Sequence, residues 1–190
     1  METYHLKVAG LERDLPVCPL GNGVSIAGFV MFSDVELTIA CATELLKKVP
    51  DCDVFLTAES KGIPLAYEMS RQSGKRYILA RKSKKLYMKN AVEVDVRSIT
   101  TAGMQKLYLS GDDMAYLKGK RVLLVDDVIS TGESLHALEM LTEKAGGTIV
   151  GKSAVLAEGD AANRDDIIFL APLPLLKTEE KALDTKRGTS

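Results

Sequence analysis

Four apolar residues, Val122-Leu123-Leu124-Val125, run without a polar break into two adjacent carboxylates, Asp126 and Asp127. A strand with one face in water alternates apolar and polar residues. An unbroken apolar run is a strand buried on both faces, the mark of a parallel sheet covered by helices. Val54-Phe55-Leu56-Thr57 repeats the pattern earlier. A helix is predicted from Ile63 to Ser73, stopped by Gly74, and a strand from Tyr77 to Ala80. Strand, loop, helix, strand at this spacing is a βαβ unit. After the acid pair a helix is predicted from Glu133 to Ala145, with Leu135, Leu138, Leu141 and Ala145 on one face and Gly146-Gly147 as its stop. Strands over Thr148 to Leu156 and Ile167 to Leu170 follow. The fold class is α/β: a central, mostly parallel sheet flanked by helices.

Before and between these elements the signals are mixed. Residues 1–32 carry turn signals at Pro16, Pro19 and Gly21-Asn22-Gly23. Val35 to Val49 reads as an amphipathic helix, capped by Ser33 or Asp34 and ended by Pro50. Arg81-Lys82-Ser83-Lys84-Lys85 places four cations in five residues. Val92 to Ile99 and Lys106 to Ser110 alternate, which predicts a two-stranded antiparallel excursion from the main sheet. The segment after Lys177 is charged and expected to be a mobile tail.

Length and composition narrow the function classes. The 190 residues suit one domain. A net charge of -1 gives no bulk electrostatic case for nucleic acid or a membrane surface. Three cysteines without a CxxC pair and two histidines support neither a disulfide framework nor a zinc site. There is no basic start followed by an apolar run, and no stretch long enough to span a bilayer. The expectation is a cytoplasmic protein with no nucleic-acid or membrane partner.

Two carboxylates side by side repel unless they meet donors or cations. In an open parallel sheet they stand where ligands bind, beyond the carboxyl ends of the strands. The vicinal hydroxyls of a ribose, with a magnesium ion, would satisfy Asp126 and Asp127. Ser130, Thr131 and Gly132 then offer hydroxyls and backbone N–H groups at a helix N-terminus, a ready phosphate site. An acid pair followed a few residues later by a phosphate cradle fits a 5-phosphorylated ribose.

The stretch VLLVDDVISTGES resembles the phosphoribosyl pyrophosphate (PRPP) motif of type I phosphoribosyltransferases, and the likeness extends from about Asp53 to Leu176. The resemblance implies that family's fold, with a small hood over 1–34 and 156–180 and a flexible catalytic loop over 83–109. It implies that Asp126 and Asp127 hold the ribose hydroxyls and meet magnesium indirectly. It implies that Val128, Ile129, Ser130, Thr131, Gly132, Glu133 and Ser134 form the 5-phosphate loop. Glu59-Ser60-Lys61-Gly62 looks like the pyrophosphate loop, with a cis peptide expected near Ser60-Lys61. Arg81, Lys82 and Lys85 would meet the leaving pyrophosphate, and with the acid pair Lys82 and Lys85 are the catalytic candidates.

The loop pattern RKSKKLYMKN…VRSITT…QKLYLSG is similar to the xanthine phosphoribosyltransferase and purine-repressor branch. Ser130 stands where some members carry a third acid, which argues against the hypoxanthine-guanine type. The expected activity is transfer of 5-phosphoribose from PRPP to a purine, adenine or xanthine, in purine salvage, with magnesium and a homodimer. The alternative is a regulator that binds PRPP without turnover. Phe29 and Met31 are candidates for an apolar base wall or for core, and Glu158 for the base pocket from the C-terminal side.

Overall fold

The computed structural model describes residues 2–96 and 105–177. Strand β1 (Thr3–Val8), β2 (Leu11–Gly21) and β3 (Val24–Ala27) lead into α1 (Val35–Lys48). Then come β4 (Val54–Ala58), α2 (Ile63–Ser73), β5 (Arg76–Ala80), β6 (Val92–Val96), β7 (Gln105–Leu109) and α3 (Gly111–Leu117). The chain continues through β8 (Arg121–Ile129), α4 (Glu133–Ala145), β9 (Thr148–Glu158), a 3-10 turn, β10 (Ile168–Leu173) and β11 (Leu176–Lys177).

Five strands form the central sheet in the order β10-β9-β8-β4-β5, and every pair is parallel. The chain leaves β4 toward β5 on one side and leaves β8 toward β9 on the other. That reversal makes β4 and β8 the switch point, where the two loops diverge and open a crevice. The register sharpens it: β4 pairs with β8 only from Val54↔Val122 to Leu56↔Leu124. Beyond Leu124, β8 keeps its bonds to β9 as far as Ile129↔Ala157 but has lost β4. Asp126 and Asp127 therefore stand inside β8, on its unpaired flank, and not at its end as the sequence suggested.

Two cores sandwich this sheet. Val122 and Leu124 pack with Leu135, Leu138 and Leu141 of α4 and with Val94, Val96, Leu107 and Leu109 of the β6–β7 pair. Leu123 and Val125 point the other way, among Leu37, Cys41 and Leu45 of α1 and Leu65 and Met69 of α2. Burial on that side pushes the Cys41 thiol up to about 12, so it is an inert core group. The β6–β7 pair is the expected excursion; its residues 97–104 lie outside the described residues, as does the tail from 178 on.

Residues 3–27, part of the segment 1–32 expected to be mixed with turn signals, form two hairpins. Ala9-Gly10 and Asn22-Gly23 both sit at positive φ, at 51°, 77°, 53° and 75°, which matches the right-handed strand twist of a two-residue hairpin. With β11 they form a second antiparallel sheet, β1-β2-β3-β11. Arg13 of β2 binds Asp34, at 2.7 Å, and Glu36, at 2.8 Å. Asp34 also caps α1 by accepting from Leu37 N–H at 3.0 Å. One carboxylate thus starts the helix and ties the second sheet to it. Within the segment 156–180 expected as hood, β9 to Glu158 and β10 to Leu173 belong to the central sheet, and among the described residues Leu176–Lys177 joins the second. β10 is the strand expected over Ile167 to Leu170, and it runs on through Pro172 to Leu173.

Candidate active site

The crevice between β4 and β8 opens into two adjoining cavities of about 400 and 420 Å³. Lys61, Gln105, Asp126, Val128, Ser130 and Ser134 line both. The first extends to Asp127, Glu59, Ser60 and Lys82, and on to Ile26–Val30, Glu158 and Leu173. The second wraps the Ser130–Leu135 loop and helix start.

Strand alternation points Asp126 and Asp127 to opposite faces, yet both border the cleft. Asp126 Oδ1 accepts the N–H of Asp127 at 2.9 Å. Burial first, and the neighbouring Asp127 carboxylate second, hold the Asp126 carboxyl well above the usual carboxylate range. Asp127 is only 3% exposed, and its Oδ2 has no hydrogen-bond partner among the described residues. Its nearest cation is Lys61 Nζ, 4.0 Å away. A buried, unpartnered carboxylate oxygen carries a desolvation cost that a donor on a ligand would relieve. The acid pair is therefore poised for vicinal hydroxyls or a hydrated cation, and no group of three or more metal-ligand residues exists among the described residues.

The loop after β4 is held close to this pair. A Cβ on Gly62 would lie 2.4 Å from Thr57 Oγ1 and 3.2 Å from Asp126 Oδ1. Only glycine lets the loop backbone pass so near the acid. The Glu59–Ser60 peptide is cis, one bond before the expected position. Glu59 does not point at ligand space alone. Its Oε2 accepts Lys82 N–H at 2.8 Å and Arg81 Nε–H at 3.2 Å, and these donors pull its carboxyl below the usual range. Arg81 Nη1 also donates to the Tyr87 hydroxyl at 2.8 Å.

Of the basic run, Lys82 therefore borders the cavity while Arg81 serves as a strut between loops. Lys85 does not border it; its Nζ donates to Ser83 Oγ at 2.7 Å. After β8, Gly132 stands at φ 82° and starts α4 with no side chain capping the helix. The free N–H groups of that first turn face the second cavity, an anion site by construction. Ile129 lines it too, while its side chain is 2% exposed in the core beside Leu135.

The base-wall candidates divide. Phe29 is 4% exposed in the core and still borders the first cavity. Met31 takes the core alternative: it is 1% exposed and borders a groove between α1 and α2. Gln105, Ile26, Gly28 and Leu173 line the cleft and were missed. Gln105 gives no sequence signal; Ile26 lies on β3 and Leu173 at the far end of β10, and Gly28 directly follows β3.

The description "Phosphoribosyl transferase domain" matches residues 36–170. The hypoxanthine/guanine phosphoribosyltransferase of Methanococcus voltae is 33% identical over 154 residues, covering 80% of this chain and 75% of that protein. Its Methanotorris igneus counterpart is 34% identical over 144 residues, covering 75% and 72%. The sequence reading had argued against the hypoxanthine-guanine type that these relatives are named for. The crystal structure of adenine phosphoribosyltransferase from Thermoanaerobacter pseudethanolicus superposes with a TM-score of 0.70 at 20% identity, covering 83% of this chain and 95% of that one. The switch-point cleft, its acid pair and its uncapped helix thus sit on a chain that belongs to the phosphoribosyl transferase family.

Proposed function

We propose that the chain transfers 5-phosphoribose from PRPP to a purine, giving a nucleoside 5-monophosphate and pyrophosphate. The observation that carries this is the buried Asp127 carboxylate, whose Oδ2 has no hydrogen-bond partner among the described residues, beside the uncapped N-terminus of α4. A sugar with two vicinal hydroxyls and a 5-phosphate satisfies both at once. The names of the methanogen relatives support a purine as acceptor.

Asp126 and Asp127 accept the ribose hydroxyls. Ser130, Thr131 and Ser134 hydroxyls and the N–H groups of the first α4 turn hold the 5-phosphate. The backbone of Ser60-Lys61-Gly62 and the Lys61 and Lys82 ammonium groups lie toward the pyrophosphate. As the C1–O bond breaks, the leaving group gathers charge, and cations fixed beside it stabilise that state more than the ground state. The base nitrogen attacks C1 from the side of Ile26–Val30 and Leu173. Magnesium belongs to this proposal as the counterion of the diphosphate, met indirectly by Asp126 and Asp127, whose acceptor-only oxygens fit its bound waters. A homodimer belongs to it as well: Val35, Ile39 and Tyr67 are exposed at 68%, 42% and 56% along the groove between α1 and α2, where a second copy would pack. No helix among the described residues is long and apolar enough to cross a membrane.

The test is pyrophosphate release from PRPP and magnesium with adenine, hypoxanthine, guanine, xanthine and orotate offered separately. Turnover with a purine supports the reading. Tight PRPP binding with no turnover on any base would replace it with the non-catalytic regulator.

A further inference from the structure

The first cavity is chemically lopsided. Lys61, Lys82, Asp126 and Asp127 crowd the end beside β4 and β8, while Ile26, Ala27, Val30 and Leu173 wall the other. One charged residue, Glu158, sits at this apolar end among the described residues. Its placement follows from β9. Ala157 packs into the core beneath α4, so the next residue faces the opposite side, toward the second sheet. There it pairs in register with Leu173, which is 1% exposed in the other core. Glu158 precedes the 3-10 turn over Gly159–Asn163 but makes no side-chain cap to it. Its side chain has no hydrogen bond or ion pair to any described residue, although the residue is partly buried.

We propose that Glu158 selects purines that carry an exocyclic amino group, adenine or guanine, against hypoxanthine and xanthine, which carry none. This rests on the phosphoribosyl transfer proposed above. A carboxylate only accepts hydrogen bonds. An amino group brings two donors to it. Where adenine brings its C6 amino group, the O6 of hypoxanthine or xanthine sets lone pair against lone pair; where guanine brings its C2 amino group, xanthine brings O2 and hypoxanthine a C2–H that is no strong donor. Sites built to meet a substrate N–H reject analogues lacking it more strongly than apolar pockets reject a missing methylene. The preference would separate this chain from relatives named for hypoxanthine and guanine together.

The experiment compares kcat/KM for adenine, guanine, hypoxanthine and xanthine at saturating PRPP and magnesium, in wild type, Glu158→Gln and Glu158→Ala. Wild type is expected to favour adenine or guanine over both oxo-only purines by about tenfold or more. Glu158→Gln, which keeps the shape but can donate, should bring that ratio down to about threefold or less, with the KM for PRPP within about twofold. Calorimetric binding of AMP, GMP and IMP to the same proteins should show the same loss of preference without turnover. A wild type that favours hypoxanthine or xanthine, or variants that keep the ratio, would overturn the inference and leave the transfer reaction standing. No turnover with any purine would instead overturn the reading beneath it, and the inference with it.

Discussion

The cleft is built from two sheets made by opposite rules. In the central sheet all five residues of β4 are buried, and β8 is buried from Val122 through Val125. In the second sheet β1 and β2 alternate, with Leu6, Val8 and Leu15 inward and their neighbours in water. The central sheet brings the acids and the helix N-terminus to the cleft; the second sheet brings apolar strand residues. The difference teaches where charge chemistry has to stand. Carboxylates and N–H dipoles act strongly only when a stiff, water-poor frame holds them, so they ride on the most buried strands. Choosing a flat apolar base asks for shape and a few polar contacts, which two local hairpins can supply.

The partition can be broken from either side. The largest effect should come from Asp127→Asn, which keeps the shape and removes the charge of the buried acid. Losing one or two hydrogen bonds to a charged group costs about 2–4 kcal/mol. The kcat/KM for PRPP should therefore fall about 30- to 1000-fold with purine preference unchanged, read by steady-state kinetics. Gly62→Ala comes next: its Cβ would meet Thr57 Oγ1 at 2.4 Å, so the loop must shift. Overpacking of this kind costs about 1–3 kcal/mol, visible as a lower midpoint in urea, and the displaced loop should raise the KM for PRPP. Lys82→Ala should lower kcat about tenfold, the loss of one charge-assisted contact, and more than Lys85→Ala does, because only Lys82 borders the cavity. Equal losses would mean that Lys85 leaves Ser83 and reaches the pyrophosphate during turnover.

The smallest effect concerns stability without ligand. The folded-state pKa of Asp126 is raised, so ionising it is harder in the folded chain than in the unfolded one. The folded chain then binds more protons, and stability falls as pH climbs from the ordinary carboxylate range through the raised value. Asp126→Asn removes that loss. The variant should be more stable than wild type at the alkaline end and converge with it toward acid pH, read by urea melts at several pH values. A constant difference across pH would mean that the acid does not titrate above its ordinary range.

How much of this the sequence showed follows the same division. The central strands and α1, α2 and α4 were legible because their apolar runs and glycine stops are local and strong. The acid pair and phosphate loop were legible because like charges beside a buried strand need a ligand to explain them. The second sheet was not, although Asn22-Gly23 is a strong hairpin signal, because Pro16 and Pro19 masked the alternation. α3 was missed because its seven residues begin at Gly111-Asp112-Asp113, which resemble a turn until Ser110 is seen accepting from Asp113 N–H. For Lys85 the resemblance gave a place in the chain, and a place in the chain does not decide where a long, exposed side chain ends: its Nζ meets Ser83 Oγ.

The most direct test of the two-sheet account is calorimetric binding of PRPP with magnesium, without any base, to wild type, Asp127→Asn and Glu158→Gln. The account predicts that wild type and Glu158→Gln bind alike, while Asp127→Asn binds at least about 30-fold more weakly. Equal binding by wild type and Asp127→Asn, or a comparable loss in Glu158→Gln, would contradict it.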